Sequence, residues 1–508
     1  MSLSKTDPTD YFDVGHIKGD LKGRSIRGGT ATLSAQVIKF IINTVSTVVL
    51  ARLLTPDDYG LVAMVTAVTG FVALFKDLGL SMATVQRKDI THAQVSNLFW
   101  INVGVSLILG VVLCGISPLI SWFYHEPRLI PITLVLSLAF IFSGLSVQHN
   151  ALLRRQMRFS ILSIVDIISL FSGIVGAILL AWVGCEYWAL VAMPILTSIS
   201  YVIMVWLFCN WRPGGFTRGV GLRSMLAFGG HLTGFSVINY FSRNLDQILI
   251  GRYWGAQSLG FYSKAYHIML LPVSQIRGPL ETVSIPALSH LQDDPNRYRR
   301  YYLKLVKLMA FLSMPLMVIL FVFAEEIIAL LLGPNWSGCV RIFQILSFVS
   351  FIQPISTTRG LVLVSLGKSK KYLRWGLANA ILTTLSFVVG LPWGAEGVAL
   401  GYAIANYICL VPSLWYCFKG SPISTRDFLS SAFWPAITSI LMGVGIGIGK
   451  GYLPISGIVS TAVLSTFGLV GYLCCWFLIP GGRPFILELM SYRDSLRFKK
   501  KTYEPIAT

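Results

Sequence analysis

Apolar residues run along this chain in blocks of about 20, the length of a bilayer-spanning helix, with short polar breaks between them. The blocks predict fourteen helices, near 29–51, 59–80, 95–120, 130–150, 160–183, 187–210, 225–251, 257–283, 303–326, 341–366, 373–391, 394–416, 430–449 and 456–479. The expected fold class is an all-α polytopic membrane protein. Composition sharpens this: 54% of residues are hydrophobic and only 12% are charged, about half the charge of a soluble domain. The net charge of +19 punctuates apolar runs instead of collecting on one solvated face, so nucleic acid is not an expected partner and the bilayer is.

An even number of spans puts both termini on one side, and basic residues decide which. With a cytoplasmic N-terminus, the tails and the loops after even-numbered spans hold 29 Lys and Arg, counting Lys304 and Arg374 at the very ends of the adjoining spans. The loops after odd-numbered spans hold five: Arg52, Arg128, Arg252, Arg341 and Lys450. Both termini are therefore expected in the cytoplasm. The external loops are too short to fold as a domain, which argues against a membrane glycosyltransferase or polymerase and for a protein without catalytic residues. The eight cysteines include no CxxC pair and no cluster with His at zinc spacing, so no metal site or resident cofactor is expected.

Two stretches repeat. Leu-Ala-Arg-Leu-Leu-Thr-Pro-Asp-Asp-Tyr-Gly-Leu from Leu50 is echoed 200 residues later from Ile250, with Arg252 under Arg52 and Gly260 under Gly60. The turn from Gly184 is echoed 210 residues later from Gly394. Both shifts equal six helices, and an even shift preserves direction, so two parallel six-helix bundles are expected. The organisation is then a tail at 1–28, an N-lobe at 29–215, a C-lobe at 216–420, two appended helices within 421–480 and a tail at 481–508.

Ionisable side chains inside spans are costly and mark cavities or partners. Lys39, Arg277 and Arg359 have no obvious carboxylate within their own turn, although Glu281 lies one turn from Arg277. Arg243 and Lys264 lie deeper. Asp246 is a structural partner for Lys264 at similar depth, or for Arg243 one turn away. Asp166 stands as a lone acid in span 5, a candidate proton or sodium site or a partner of nearby hydroxyls. Lys39, Arg243, Lys264, Arg277 and Arg359 thus make a candidate cationic path suited to an anionic cargo, with Asp166, Asp246 and Glu281 as ion-coupling or structural acids. Pro354, in span 10, is among the prolines that supply candidate kinks.

Several phrases resemble one family: the Leu-Ala-Arg-Leu-Leu-Thr-Pro-Asp-Asp-Tyr-Gly turn, Lys76-Asp-Leu-Gly-Leu, Leu98-Phe-Trp-Ile-Asn, Phe123-Tyr-His-Glu-Pro, Ala151-Leu-Leu-Arg-Arg and Arg243-Asn-Leu-Asp-Gln-Ile-Leu-Ile-Gly-Arg. Together they are similar to the Wzx-like polysaccharide flippases of the colanic acid exporter type, in the multidrug/oligosaccharidyl-lipid/polysaccharide superfamily. The resemblance covers about residues 28–420. It implies two six-helix lobes that open alternately to either side of the bacterial inner membrane. The implied cargo is an oligosaccharide linked to polyprenyl diphosphate, with polysaccharide polymerase machinery as a further candidate partner; coupling to protons or sodium is open, and the sequence does not fix the energy source. Members of this superfamily border their central cavity with helices 1, 2, 7 and 8, three of which here carry Lys39, Arg243, Lys264 and Arg277. A cation-coupled small-molecule exporter of the same fold is the alternative. Such exporters tend to use acidic cavities, and the unpaired charges here are basic.

Overall fold

The computed structural model describes residue 12 and residues 21–77, 79–87, 90–217, 223–452, 457–488 and 491, so most of both expected tails lies outside the described residues. Regular structure among the described residues is helical throughout. The first half contains α1 (Leu21–Leu53), α2 (Pro56–Ala73), α3 (Leu80–Gln86), α4 (His92–Tyr124), α5 (Leu129–Gly144), α6 (Val147–Arg155), α7 (Phe159–Trp182) and α8 (Trp188–Phe208). Then follow α9 (Arg223–His290), α10 (Pro295–Val322), α11 (Ala324–Leu331), α12 (Cys339–Ser356), α13 (Arg359–Ser365) and α14 (Ser369–Gly390). The chain continues through α15 (Gly394–Phe418), α16 (Thr425–Tyr452) and α17 (Ile458–Leu478). Among the described residues, ten helical stretches are long and apolar enough to cross a membrane, and one of them, Ser369–Phe418, contains both α14 and α15.

Two apolar runs expected as single helices are each broken in two. The run at 130–150 divides into α5 and α6 across Leu145 and Ser146, where Ser143, Gly144 and Ser146 crowd together; Gly/Ser pairs are a common cause of kinks. The run at 341–366 divides into α12 and α13 just after Pro354, whose missing N–H removes a helical hydrogen bond. The two runs at 225–251 and 257–283 both lie in α9, which breaks at Gly255 (φ 78°). Tyr262 donates a hydrogen bond to Asp246 across that break at 2.7 Å. In a straight helix those residues would stand about 24 Å apart, so the chain folds back at Gly255.

The motif Thr55-Pro56-Asp57-Asp58 has a local explanation. Thr55 caps α2, its hydroxyl accepting from Asp58 N at 3.3 Å while Thr55 N donates to Asp58 Oδ2 at 2.8 Å. Pro56 occupies the first helical turn, where no N–H is missed. The sequence echoes reappear as backbone events. Gly60 packs on the carbonyl of Ala256 and Gly260 packs on the carbonyl of Pro56, each so closely that a Cβ would overlap it. This reciprocal crossing joins the two members of the 200-residue echo. The 210-residue echo recurs in left-handed residues: Met157 (φ 53°) with Gly367 (φ 68°), and Gly184 (φ 85°) with Gly394 (φ 75°).

The chain forms two compact units. The first comprises residues 1–263, 331–336 and 387–398, and the second residues 264–330, 337–386 and 399–508. A core of the first unit gathers α3, α4, α6 and α7 around Phe99, Leu152, Val165 and Trp211. The segment after α8 is strapped onto α4 there: Asn97 donates to Thr217 O at 2.6 Å and accepts from Thr217 N at 2.8 Å, and Trp100 donates to Gly214 O at 2.8 Å. A core of the second unit packs Tyr298 and Tyr302 of α10 against α13, α15 and α16, with Tyr298 bonded to Ser365 and Tyr302 to Thr358.

Candidate functional site

Lys39 and Asp166 face each other where α1 packs on α7. The ammonium donates to Asp166 Oδ2 at 2.8 Å, with side chains 31% and 39% exposed. Asp166 is therefore not a lone acid, nor Lys39 a lone cation; the apolar packing of the two helices brings together charges that each lacked a partner in its own turn. Partial exposure leaves the lysine two further donors for a ligand.

Asp246 is buried. Its carboxylate accepts from Tyr262 Oη at 2.7 Å and from Gln247 N at 2.8 Å. Neutral donors thus replace the lysine or arginine expected there, because the turn at Gly255 brings the phenol of Tyr262, not an ammonium, against the acid. Arg243, one turn away, is exposed and is not among the described partners of Asp246. Lys264, in the second unit, is half-buried.

Arg277 Nε donates to Glu281 Oε1 at 2.6 Å, one helical turn on, the single pairing that a turn-by-turn reading could find. Arg359 begins α13, half-buried, with its guanidinium 5.3 Å from the centre of the Trp375 ring. Among the described residues no carboxylate lies within ion-pair distance of it. A guanidinium held on an aromatic face keeps its edge donors for a planar or tetrahedral oxyanion.

The five expected cations therefore divide. Lys39 and Arg277 each carry their own carboxylate, which an anionic ligand would have to displace. Among the described residues Arg243 and Arg359 carry none, and Lys264 is set apart by its partial burial at the start of the second unit. Trp375, in the second turn of α14, is the contact that charge counting missed; its signal was an aromatic residue among the basic residues Lys368, Lys370, Lys371 and Arg374.

The profile of the polysaccharide biosynthesis protein family matches residues 49–341, more than half the chain. The chain belongs to that family. Its curated relatives include the lipopolysaccharide biosynthesis protein WzxC of Escherichia coli (strain K12), 25% identical over 441 residues that cover 84% of this chain and 88% of the relative. The teichuronic acid biosynthesis protein TuaB of Bacillus subtilis (strain 168) is 26% identical over 439 residues, 85% of this chain and 91% of that protein. Among solved structures, the lipid II flippase MurJ in an inward closed conformation superposes with a TM-score of 0.70 at 16% identity, covering 93% of this chain and 100% of that one. That likeness establishes the fold, an all-helical multi-pass membrane protein. The family's matched stretch includes Asp166, Arg243, Asp246, Lys264, Arg277 and Glu281. Lys39 and Arg359 lie outside it.

Proposed function

We propose that this polysaccharide biosynthesis protein is a flippase. Its cargo is an oligosaccharide linked to polyprenyl diphosphate, carried from the cytoplasmic to the outer leaflet of the bacterial inner membrane for surface or exopolysaccharide export. The observation that carries this reading is the family membership, supported by likeness across most of the chain's length to proteins of lipopolysaccharide and teichuronic acid biosynthesis. The proposal includes the fourteen crossings read from the apolar runs, with both termini cytoplasmic as the distribution of Lys and Arg favours.

A diphosphate leaving water needs charged donors, and such bonds are about twice as strong as neutral ones. Arg359 and Arg243 supply guanidinium groups without a described carboxylate. At Lys39 and Arg277 the cargo phosphates compete with Asp166 and Glu281. Asp166, released from Lys39 by the cargo, is then open to a coupling cation, which gives it a coupling role. The polysaccharide polymerase is the expected recipient of the flipped unit. The test is complementation of a flippase-deficient strain with membrane protein levels measured alongside. Arg359→Ala is expected to reach normal levels and to lose most export, while Arg359→Lys, which keeps the charge without the planar fork, recovers part. Normal export by Arg359→Ala removes this residue from the cargo path.

A further inference from the structure

The N-terminal end of α14 and the C-terminal end of α15 meet in a basic and aromatic cluster whose lysines the transport reading does not use. Lys371 Nζ donates to Lys419 O at 2.8 Å and lies 5.0 Å from the centre of the Tyr416 ring. Lys419 lies 5.4 Å from the ring centre of Trp415, which is 63% exposed. Lys368 donates to Gly420 O. The Trp375 and Tyr416 rings meet at 6.1 Å and tie the two helices together. The ammonium groups of Lys368 and Lys371 are thus each held by one carbonyl, that of Lys419 by the face of Trp415, and all three keep donors for a ligand. Between residues 357 and 426 stand seven Lys and Arg against one acid, Glu396. Glu396 lies at the opposite end of the hairpin, beside the Gly394 turn.

We propose that this cluster is a binding site for the phosphate headgroup of an anionic phospholipid of the cytoplasmic leaflet. Three features select a lipid over a soluble anion. Trp and Tyr at the end of an apolar helix mark the depth of the headgroups, and here they hold the lysines at that depth. Apolar stripes then run from the cluster towards the membrane interior on both helices: Leu373, Leu377 and Ile381 on α14, and Val411, Ile408 and Ile404 on α15, all exposed. Their spacing of three and four residues keeps each stripe on one helix face, where acyl chains can lie beneath a bound phosphate. Basic pockets between cytoplasmic helix ends are a recurrent lodging for such headgroups. The leaflet rests on the proposed orientation; the lipid chemistry does not.

The test uses the full chain purified in a mild detergent, with bound lipid read by native mass spectrometry and stability by thermal unfolding. The wild type is expected to retain phosphatidylglycerol or diphosphatidylglycerol and to gain stability when either is added, but not with phosphatidylethanolamine or with inorganic pyrophosphate. The Lys368→Gln/Lys371→Gln/Lys419→Gln variant is expected to bind these lipids at least tenfold more weakly. The corresponding triple Arg variant and a remote Arg154→Gln control in the first unit should bind as the wild type does. Should the triple Gln variant not be recovered folded, Lys419→Gln alone, at an exposed side chain, is expected to weaken binding in the same direction. Undiminished binding by the Gln variants, or an equal loss in the remote control, overturns the site. Saturation by pyrophosphate, or displacement of the phospholipid by an equimolar polyprenyl diphosphate, also overturns it, the first in favour of a soluble anion and the second in favour of the cargo.

Discussion

The reciprocal contact of Gly60 and Gly260 makes a quantitative demand on the fold. A Cβ at Gly60 would overlap the carbonyl of Ala256, and one at Gly260 would overlap that of Pro56. Both obstacles are main chain, so no rotamer change relieves them and the two helices must part. Overpacking costs roughly 1–3 kcal/mol, and the absence of side-chain relief places each Gly→Ala here near about 3. Alanine recovers up to about 1 kcal/mol of helix propensity, leaving about 2 kcal/mol for each single variant. If the sites were independent, the Gly60→Ala/Gly260→Ala double variant would lose about 4 kcal/mol. Because a single separation of the helices accommodates both methyl groups, the expected loss is about 1–2 kcal/mol, no worse than either single change. Gly104 in α4, with no atom within 4 Å of a built Cβ, is the control, and Gly104→Ala should be neutral or slightly stabilising. The assay is reversible unfolding in mixed micelles for all four species of the cycle. Additivity within about 0.5 kcal/mol would show that the two glycines do not report one crossing, and the reciprocal contact would lose its meaning.

Three further outcomes follow from the geometry. Met157 sits in the left-handed region at φ 53° where its counterpart is Gly367, so Met157→Gly should raise stability by about 1 kcal/mol and Gly367→Met should lower it, both read as shifts in thermal midpoint. The Lys39–Asp166 pair is too exposed to contribute more than about 1 kcal/mol. The Lys39→Asp/Asp166→Lys exchange should therefore leave the midpoint nearly unchanged while abolishing export, and normal export would make the pair structural only. In the loop before α5, Arg128 bonds Glu126 at 2.9 Å and holds its carboxyl below the ordinary value of 4.5. The stability from that depression is complete above pH about 4.5 and is lost as pH falls through the lower folded value. Arg128→Ala should flatten the acid limb of a midpoint-against-pH curve, and an unchanged limb would assign it to other carboxylates.

The helices were legible because an apolar run of bilayer length has essentially one solution, a helix that satisfies its own backbone. The breaks inside two of those runs were not, since Ser143, Gly144 and Ser146 leave hydropathy almost unaltered while loosening the backbone. At the site, a turn-by-turn search can find Arg277 with Glu281, four residues apart, but not Lys39 with Asp166, 127 residues apart. A usable signal did exist: both lie within about ten residues of the start of odd-numbered spans, hence on helices of one direction and at similar depth. Depth alone misled at Asp246, where it pointed to Lys264 and the structure supplies Tyr262. Depth orders residues by height and says nothing of azimuth, and a phenol escapes any search restricted to charges. The same restriction hid Trp375 under Arg359. Counting cations therefore locates the helices that carry charge into the membrane, whereas which cations remain able to meet a phosphate is set by packing. By that criterion Arg359 and Arg243, with no described carboxylate, are where the cargo argument is strongest. On the proposed reading, Lys39 and Arg277 meet the cargo only after Asp166 and Glu281 let go, and that exchange would make the two acids as consequential to transport as the cations they hold.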